Sequence, residues 1–171
     1  MNHAVTKLIT SLLCCALTMS WTHVASGTEL HIPCVKGRSG DSVDIPIMID
    51  RVDNLAGLKL VMKYDPKILT FQKGAKTKHS DSLMHIINDK KPGRLIVVMA
   101  GAKGIGGKDF PILNLTFEIK GGLKGNHVTA LEISDLEMMS DKLKDITCNV
   151  KVNPLVISPA QLKKARNGKM E

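Results

Sequence analysis

The segment 54–71 constrains this chain more than any other. Leu58, Leu60, Met62 and Tyr64 fall on one parity, and Lys59, Val61 and Lys63 on the other. That is the two-residue period of a strand with one buried face. Asp65-Pro66 then ends the strand, because proline has no N–H to give to a ladder and fixes its own φ. Leu69 and Phe71 resume the apolar pattern beyond the turn.

The same alternation recurs along the chain. Val43, Ile45, Ile47 and Ile49 share a parity in 42–50, and Leu113, Leu115, Phe117 and Ile119 share one in 111–120. Residues 30–35 read as a first strand, with Pro33 marking an edge or a bulge, and 83–87, 127–133 and 146–152 read as further strands. Turn signals separate them: the glycines of 36–41, polar loops at 51–54 and 72–82, a hairpin turn at 88–93, a glycine-rich loop at 101–109, a turn at 121–125 and a charged connector at 135–144. Eight or nine short strands without an internal helix predict an all-β sandwich. A chain of 171 residues is long enough for one domain with a real core. Aromatic residues are only 3 %, so that core is aliphatic. The domain is placed at 28–158. From Pro154 the strand pattern gives way to a polar tail with Lys163, Lys164, Arg166 and Lys169, and 159–171 is read as flexible or partly helical.

One strand does not fit a two-layer sandwich. In 94–100, Leu95, Val97 and Met99 lie on one parity while Ile96, Val98 and Ala100 lie on the other. A strand apolar on both sides is either covered on both sides or leaves one apolar side open.

The first 27 residues are read as a signal peptide. Lys7 supplies a positive start, residues 8–19 form an apolar stretch too short to span a bilayer, and Ala25, Ser26 and Gly27 are small residues suited to cleavage. The mature protein is then secreted, periplasmic or held at the cell surface, with no membrane insertion. Export leaves two cysteines, Cys34 and Cys148. Outside the cytoplasm they read as a disulfide pair, with two free thiols as the alternative. The bridge would close a loop of more than a hundred residues, worth about 4–5 kcal/mol on the chain-entropy view.

Other chemistries find little support. The net charge is +8 without a basic run, which suits a solvated surface and no nucleic-acid partner. His79, Ser80 and Asp81 are triad residue types, but sequence neighbours point apart and cannot relay a proton. The glycine-rich loop lacks the Gly-Lys-Ser/Thr of a phosphate cradle. His31, His79, His85 and His127 show no ligand spacing, and Asp135, Glu137 and Asp141 lack a calcium-loop pattern. The expectation is a protein that is not an enzyme, with no cofactor and no metal of its own.

Three stretches in order carry a family resemblance. The first holds Gly37, Gly40, Asp41, Ile45 and Pro46. The second holds Gly57, Tyr64, Asp65, Pro66 and Leu69. The third holds Ala100, Gly101 and Ala102, followed by Leu115, Thr116 and Phe117. Together they resemble the cohesin domain over nearly the whole mature chain. The resemblance implies a nine-stranded jelly-roll β-sandwich whose first and last strands lie side by side, in agreement with a Cys34–Cys148 pair. It implies a non-catalytic receptor for dockerin-like protein modules in extracellular polysaccharide-degrading assemblies, with calcium carried by the partner. Carried over by parity, the partner-binding residues are Lys59, Val61 and Lys63 with Ile96, Val98 and Ala100. Cohesins often have an asparagine and an acidic residue where this chain has Gly57 and Lys59, so a basic partner would meet like charge and an acidic partner is expected. The alternative is a carbohydrate-binding module of the same fold, disfavoured because the mature chain has only Tyr64, Phe71, Phe110 and Phe117 to stack on a sugar. A structural cell-surface sandwich is the third reading.

Overall fold

A computed structural model describes residues 27–160. The signal-peptide reading of 1–27, apart from Gly27, and most of the 159–171 tail reading lie outside the described residues. The strands are β1 (Thr28–Ile32), β2 (Val35–Arg38), β3 (Ser42–Lys63), β4 (Leu69–Lys76), β5 (Met84–Lys91), β6 (Arg94–Ile119), β7 (His127–Thr129), β8 (Glu132–Ser140), β9 (Cys148–Val152) and β10 (Leu155–Ser158), with one 3-10 turn at Lys78–Ser80.

Two strands are far longer than the sequence suggests. β3 has 22 residues and β6 has 26. At about 3.3 Å per residue each would run 70 Å or more if straight, beyond the width of any small domain, so both must bend. They bend together: their shared register shifts between Val52 and Leu55 and again between Leu55 and Gly57, and such bulges kink a strand. The first half of β3 pairs with β1 and with the second half of β6, which pairs with β4. The second half of β3 pairs with β8 and with the first half of β6, which pairs with β5. One hydrogen-bonded sheet is thereby folded on itself into two layers. β2, β10 and β7 form a separate three-stranded sheet.

The segments 51–54 and 101–109 are therefore strand and not loop. Alternation fails there because each bulge resets parity. The glycines instead serve close backbone approach: a Cβ on Gly104 would collide with Asn54, and one on Gly106 would lie 2.8 Å from the Asp53 carbonyl oxygen.

The first and last strands do lie side by side. β1 pairs parallel with β9 and β2 parallel with β10. Pro33 and Pro154 break both ladders at matching places, and Asn153 closes the break by donating its backbone N–H and its side-chain amide to the Ile32 carbonyl, each at 3.0 Å. If the two interrupted terminal pairs count as single strands, the two bent strands as two each, and β7–β8 as one, the jelly roll has its nine passes. Other assignments need correction as well: β4 runs on through 72–76 and β5 through 88–91, stretches read as loop and turn. The 127–133 strand splits into β7 and β8, and β8 absorbs much of the charged connector. The polar tail does not begin at Pro154, since Leu155–Ser158 is β10, with Leu155 and Ile157 buried.

Both layers feed one core. Ile45, Ile47 and Ile49 meet Leu58, Leu60 and Met62 within it, and Leu95, Val97 and Met99 join Leu113, Leu115 and Phe117. Phe117 takes Tyr64 and Phe71 edge-on at 5.1 and 5.6 Å, a favoured arrangement of ring quadrupoles.

The cysteine pair does not form. Cys34 and Cys148 are both free thiols. The parallel register sets Cys148 opposite Thr28, while Cys34 lies six residues further along the neighbouring chain. At strand rise that is roughly 20 Å, against the 7 Å a disulfide tolerates between Cα atoms.

Candidate protein-docking face

The bend in β3 and β6 creates a four-stranded layer in the order β5, β6, β3, β8. Residues directly opposed in a sheet project to the same side, so the register fixes which side chains share its outer surface. One row holds Met84, Ala100, Gly57 and Met139. The next holds Ile86, Val98, Lys59 and Glu137. The third holds Asn88, Ile96, Val61 and Asp135. The last holds Arg94, Lys63 and Glu132. All six residues named from the sequence stand in these rows.

Their exposures differ. Val98 is 42 % exposed, Ile96 is half-buried and Ala100 is exposed. Lys63 is exposed and Lys59 partly so. Val61 is 4 % exposed; it stands between its register partners Ile96 and Asp135 and presents almost no surface of its own. The inner side of β6 is complete core, with Leu95, Val97 and Met99 at 1 % or less. The doubly apolar strand is thus explained: one side is sealed and the other is open.

The sequence reading missed half of this face. Met84 and Ile86 of β5 are 76 % and 71 % exposed, and Met139 of β8 is 39 % exposed. The signal for β5 was the hairpin turn at 88–93, which pairs whatever precedes it with the 94–100 strand. The signal for β8 was the alternation of Asp135, Glu137 and Met139 with Leu136 and Met138, hidden inside a stretch read as a charged connector.

β8 also changes the electrostatics. Lys59 Nζ lies 2.6 Å from Glu137 and 3.0 Å from Asp135, and Lys63 Nζ lies 3.0 Å from Glu132. Hydrogen bonds from Lys59, first to Glu137 and then to Asp135, hold its ammonium above the usual lysine range. The expectation that Lys59 and Lys63 present free positive charge is therefore corrected: both are neutralised by the neighbouring strand, and the argument for an acidic partner falls with it. A groove of about 530 Å³ opens over Gly57, where the absent side chain leaves the sheet surface low between Ala100 and Met139.

The remaining chemical residues have structural roles. Ser80 is buried, and its hydroxyl donates to the Ile112 carbonyl at 2.6 Å. His79 stacks on Phe110 with centroids 4.9 Å apart. Phe117, Tyr64 and Phe110 are buried and Phe71 is half-buried against the core, so the four rings do not form an open stacking platform. Among the described residues, no group of three or more His, Cys, Asp or Glu is placed to hold a metal ion.

Comparison with known proteins places this architecture. Among curated proteins, no sequence matches the chain. Among solved structures, it is similar to a non-cellulosomal cohesin of the hyperthermophilic archaeon Archaeoglobus fulgidus, with a TM-score of 0.68 and 14 % identity over 82 % of this chain and 96 % of that one. It is similar to the sixth cohesin of scaffoldin B from Acetivibrio cellulolyticus, solved in complex with a mutant dockerin, with a TM-score of 0.68 and 21 % identity over 79 % and 100 % of the two chains. A type I cohesin–dockerin complex of Clostridium thermocellum gives a TM-score of 0.66 and 14 % identity over 78 % and 99 %. At these identities the likeness carries the fold. The family itself is set by the sequence, whose residues 28–156 match the cohesin domain, and the chain belongs to the cohesin family.

Proposed function

We propose that this chain is an exported, non-catalytic docking module that binds a dockerin-type protein module across the outer face of β5, β6, β3 and β8. The observation that carries the reading is the open apolar stripe of Met84, Ile86 and Val98 on a layer whose other side packs into the core through Leu95, Val97 and Met99. A monomer has no folding reason to keep large aliphatic side chains together on one sheet surface, and such stripes mark sites of association. The binding residues are Ile96, Val98 and Ala100 of β6, Lys59 and Lys63 of β3, and Met84 and Ile86 of β5, while Val61 supports the face from beneath. Two of the similar cohesins were solved with dockerins bound, which gives the partner class.

Retention of a panel of purified dockerin modules by the immobilised mature chain, with calcium and with a chelator, tests the reading. Calcium-dependent retention is expected, since the calcium belongs to the partner. If no dockerin is retained while the isolated domain is held on insoluble polysaccharide, the carbohydrate-binding alternative replaces this one.

A further inference from the structure

The groove over Gly57 has a chemistry that narrows the partner, an inference that rests on the docking reading above. Its floor is apolar, formed by Val98, Ala100, Met139 and Ile146, and its charged rim consists of Lys59, Glu137 and Asp145. Asp145 is brought to the rim by its bridge pairing with Met139. The single rim cation is already committed, because Lys59 is shared between Glu137 and Asp135. Two carboxylates, Glu137 and Asp145, thus line the groove beside one ammonium that already bonds Glu137 and, outside the groove, Asp135. Asp145 makes no ion pair among the described residues, and Lys142 and Lys144 of the adjoining turn do not line the groove.

A partner that covers this groove takes Glu137 and Asp145 out of water. An aliphatic side chain would leave them desolvated and short of positive charge, and an acidic one would add to the surplus. A side chain with a long methylene stem and a cationic head satisfies both parts: the stem lies on the apolar floor and the head meets the carboxylates. We infer that the groove over Gly57 is the seat of a lysine or arginine side chain of the docked partner, held by Glu137 and Asp145 over a floor that exists because residue 57 has no side chain.

The seat can be probed without the partner. Backbone-amide NMR of the full chain is followed during titration with n-butylguanidinium chloride, and separately with n-butylurea as the neutral isostere. Saturable shifts at Gly57, Lys59, Ala100, Glu137, Met139 and Asp145 are expected with the cation alone. They weaken as salt is raised to about 1 M, where the screening length is about 3 Å. The Glu137→Gln, Asp145→Asn double variant binds the cation at least about threefold more weakly, the scale of an exposed ion pair. Gly57→Leu fills the groove and abolishes the shifts. Its Cβ meets Met139 Cβ at 3.5 Å, an ordinary contact, so its melting temperature stays near that of the parent chain. Equal shifts from n-butylurea, shifts spread over all surface carboxylates, or undiminished binding by Gly57→Leu overturn the seat. Failure of the docking reading looks different: the cation seats as described but no dockerin is retained. Dockerin retention that ignores both salt and the double variant keeps the docking reading and removes the seat.

Discussion

Ile86→Asp separates a docking role from a folding role for the open stripe. Ile86 is 71 % exposed on an edge strand, so the fold buries less than a third of its side chain. Full burial of an isoleucine contributes about 1.5–3 kcal/mol, which leaves below about 1 kcal/mol to lose, and the poorer strand preference of aspartate adds a few tenths more. A total of about 1 kcal/mol lowers the melting temperature of a domain this size by about 3–6 °C. In the complex the accounting reverses. The interface loses the whole isoleucine contact and gains a carboxylate to desolvate, together about 3 kcal/mol or more, which is a loss of about a hundredfold or more in affinity. Calorimetric melting and titration against a retained dockerin measure the two quantities. Val97→Asp is the control, because Val97 is one strand over, on the opposite parity and fully buried; it unfolds the domain. A fall in melting temperature above 10 °C for Ile86→Asp, or an unchanged affinity, refutes the reasoning.

Four further predictions concern the fold. Reducing agent leaves the melting temperature unchanged, and Cys34 and Cys148 both take up iodoacetamide at pH 8, exposed Cys34 rapidly and Cys148 far more slowly, because burial pushes the Cys148 thiol up to about 11. Between the unfolded thiol value near 9 and this folded value the unfolded chain binds fewer protons, so the Cys148 contribution to stability is present below pH 9 and fades as pH rises toward 11; Cys148→Ser removes that part of the alkaline slope in urea denaturation curves. Gly106→Ala costs about 1–3 kcal/mol because its methyl group meets the Asp53 carbonyl, whereas Gly121→Ala, with nothing within 4 Å, changes the urea midpoint by little. Ile157→Ala costs about 2–5 kcal/mol, as expected of a β10 core residue and not of a tail.

The legible parts of this fold are those where one strand face is buried and no bulge intervenes. Val43 to Ile49, Leu58 to Met62 and Leu113 to Ile119 were readable because period-two patterning survives in a strand that contributes no extra residue of its own; the shift between Ile47 and Met48 is taken up by Ile112 of β6. The long bends of β3 and β6 were not, because their bulges interrupt parity at Val52, Leu55 and Gly57, and a glycine-rich strand at a bend has the same composition as a loop. β8 was hidden for another reason: its outer residues are acidic and its inner ones include Leu136 and Met138, so the strand reads as charged until its pairing with β3 is known. The cysteine inference failed on register, which no count of cysteines contains. For the docking face, the open side of β6 could be read from parity alone. The contributions of β5 and β8 required the sheet order.

The sheet order also resolves the departure at Gly57 and Lys59. A lysine at position 59 in place of the acidic residue common in cohesins reads, in sequence, as a reversal of the face's charge. In the folded sheet, Asp135 and Glu137 stand one strand away and close on Lys59 from the side, so acidity is displaced by about 4.8 Å, the spacing between neighbouring strands, and not lost. Interface charge sets partner choice through the sum of what a partner meets, and this depends on cross-strand neighbours as much as on one position. The face consequently divides into two regions. Around β5 and β6 it is open and aliphatic, with Met84, Ile86 and Val98 exposed, and on the docking reading this is the apolar area from which affinity would derive. Around β3 and β8 it carries the carboxylates Glu132, Asp135 and Glu137, which on the docking reading would admit cationic groups of a partner and penalise acidic ones. A partner selected against this surface has to match both regions at once, which a generic apolar patch would not require.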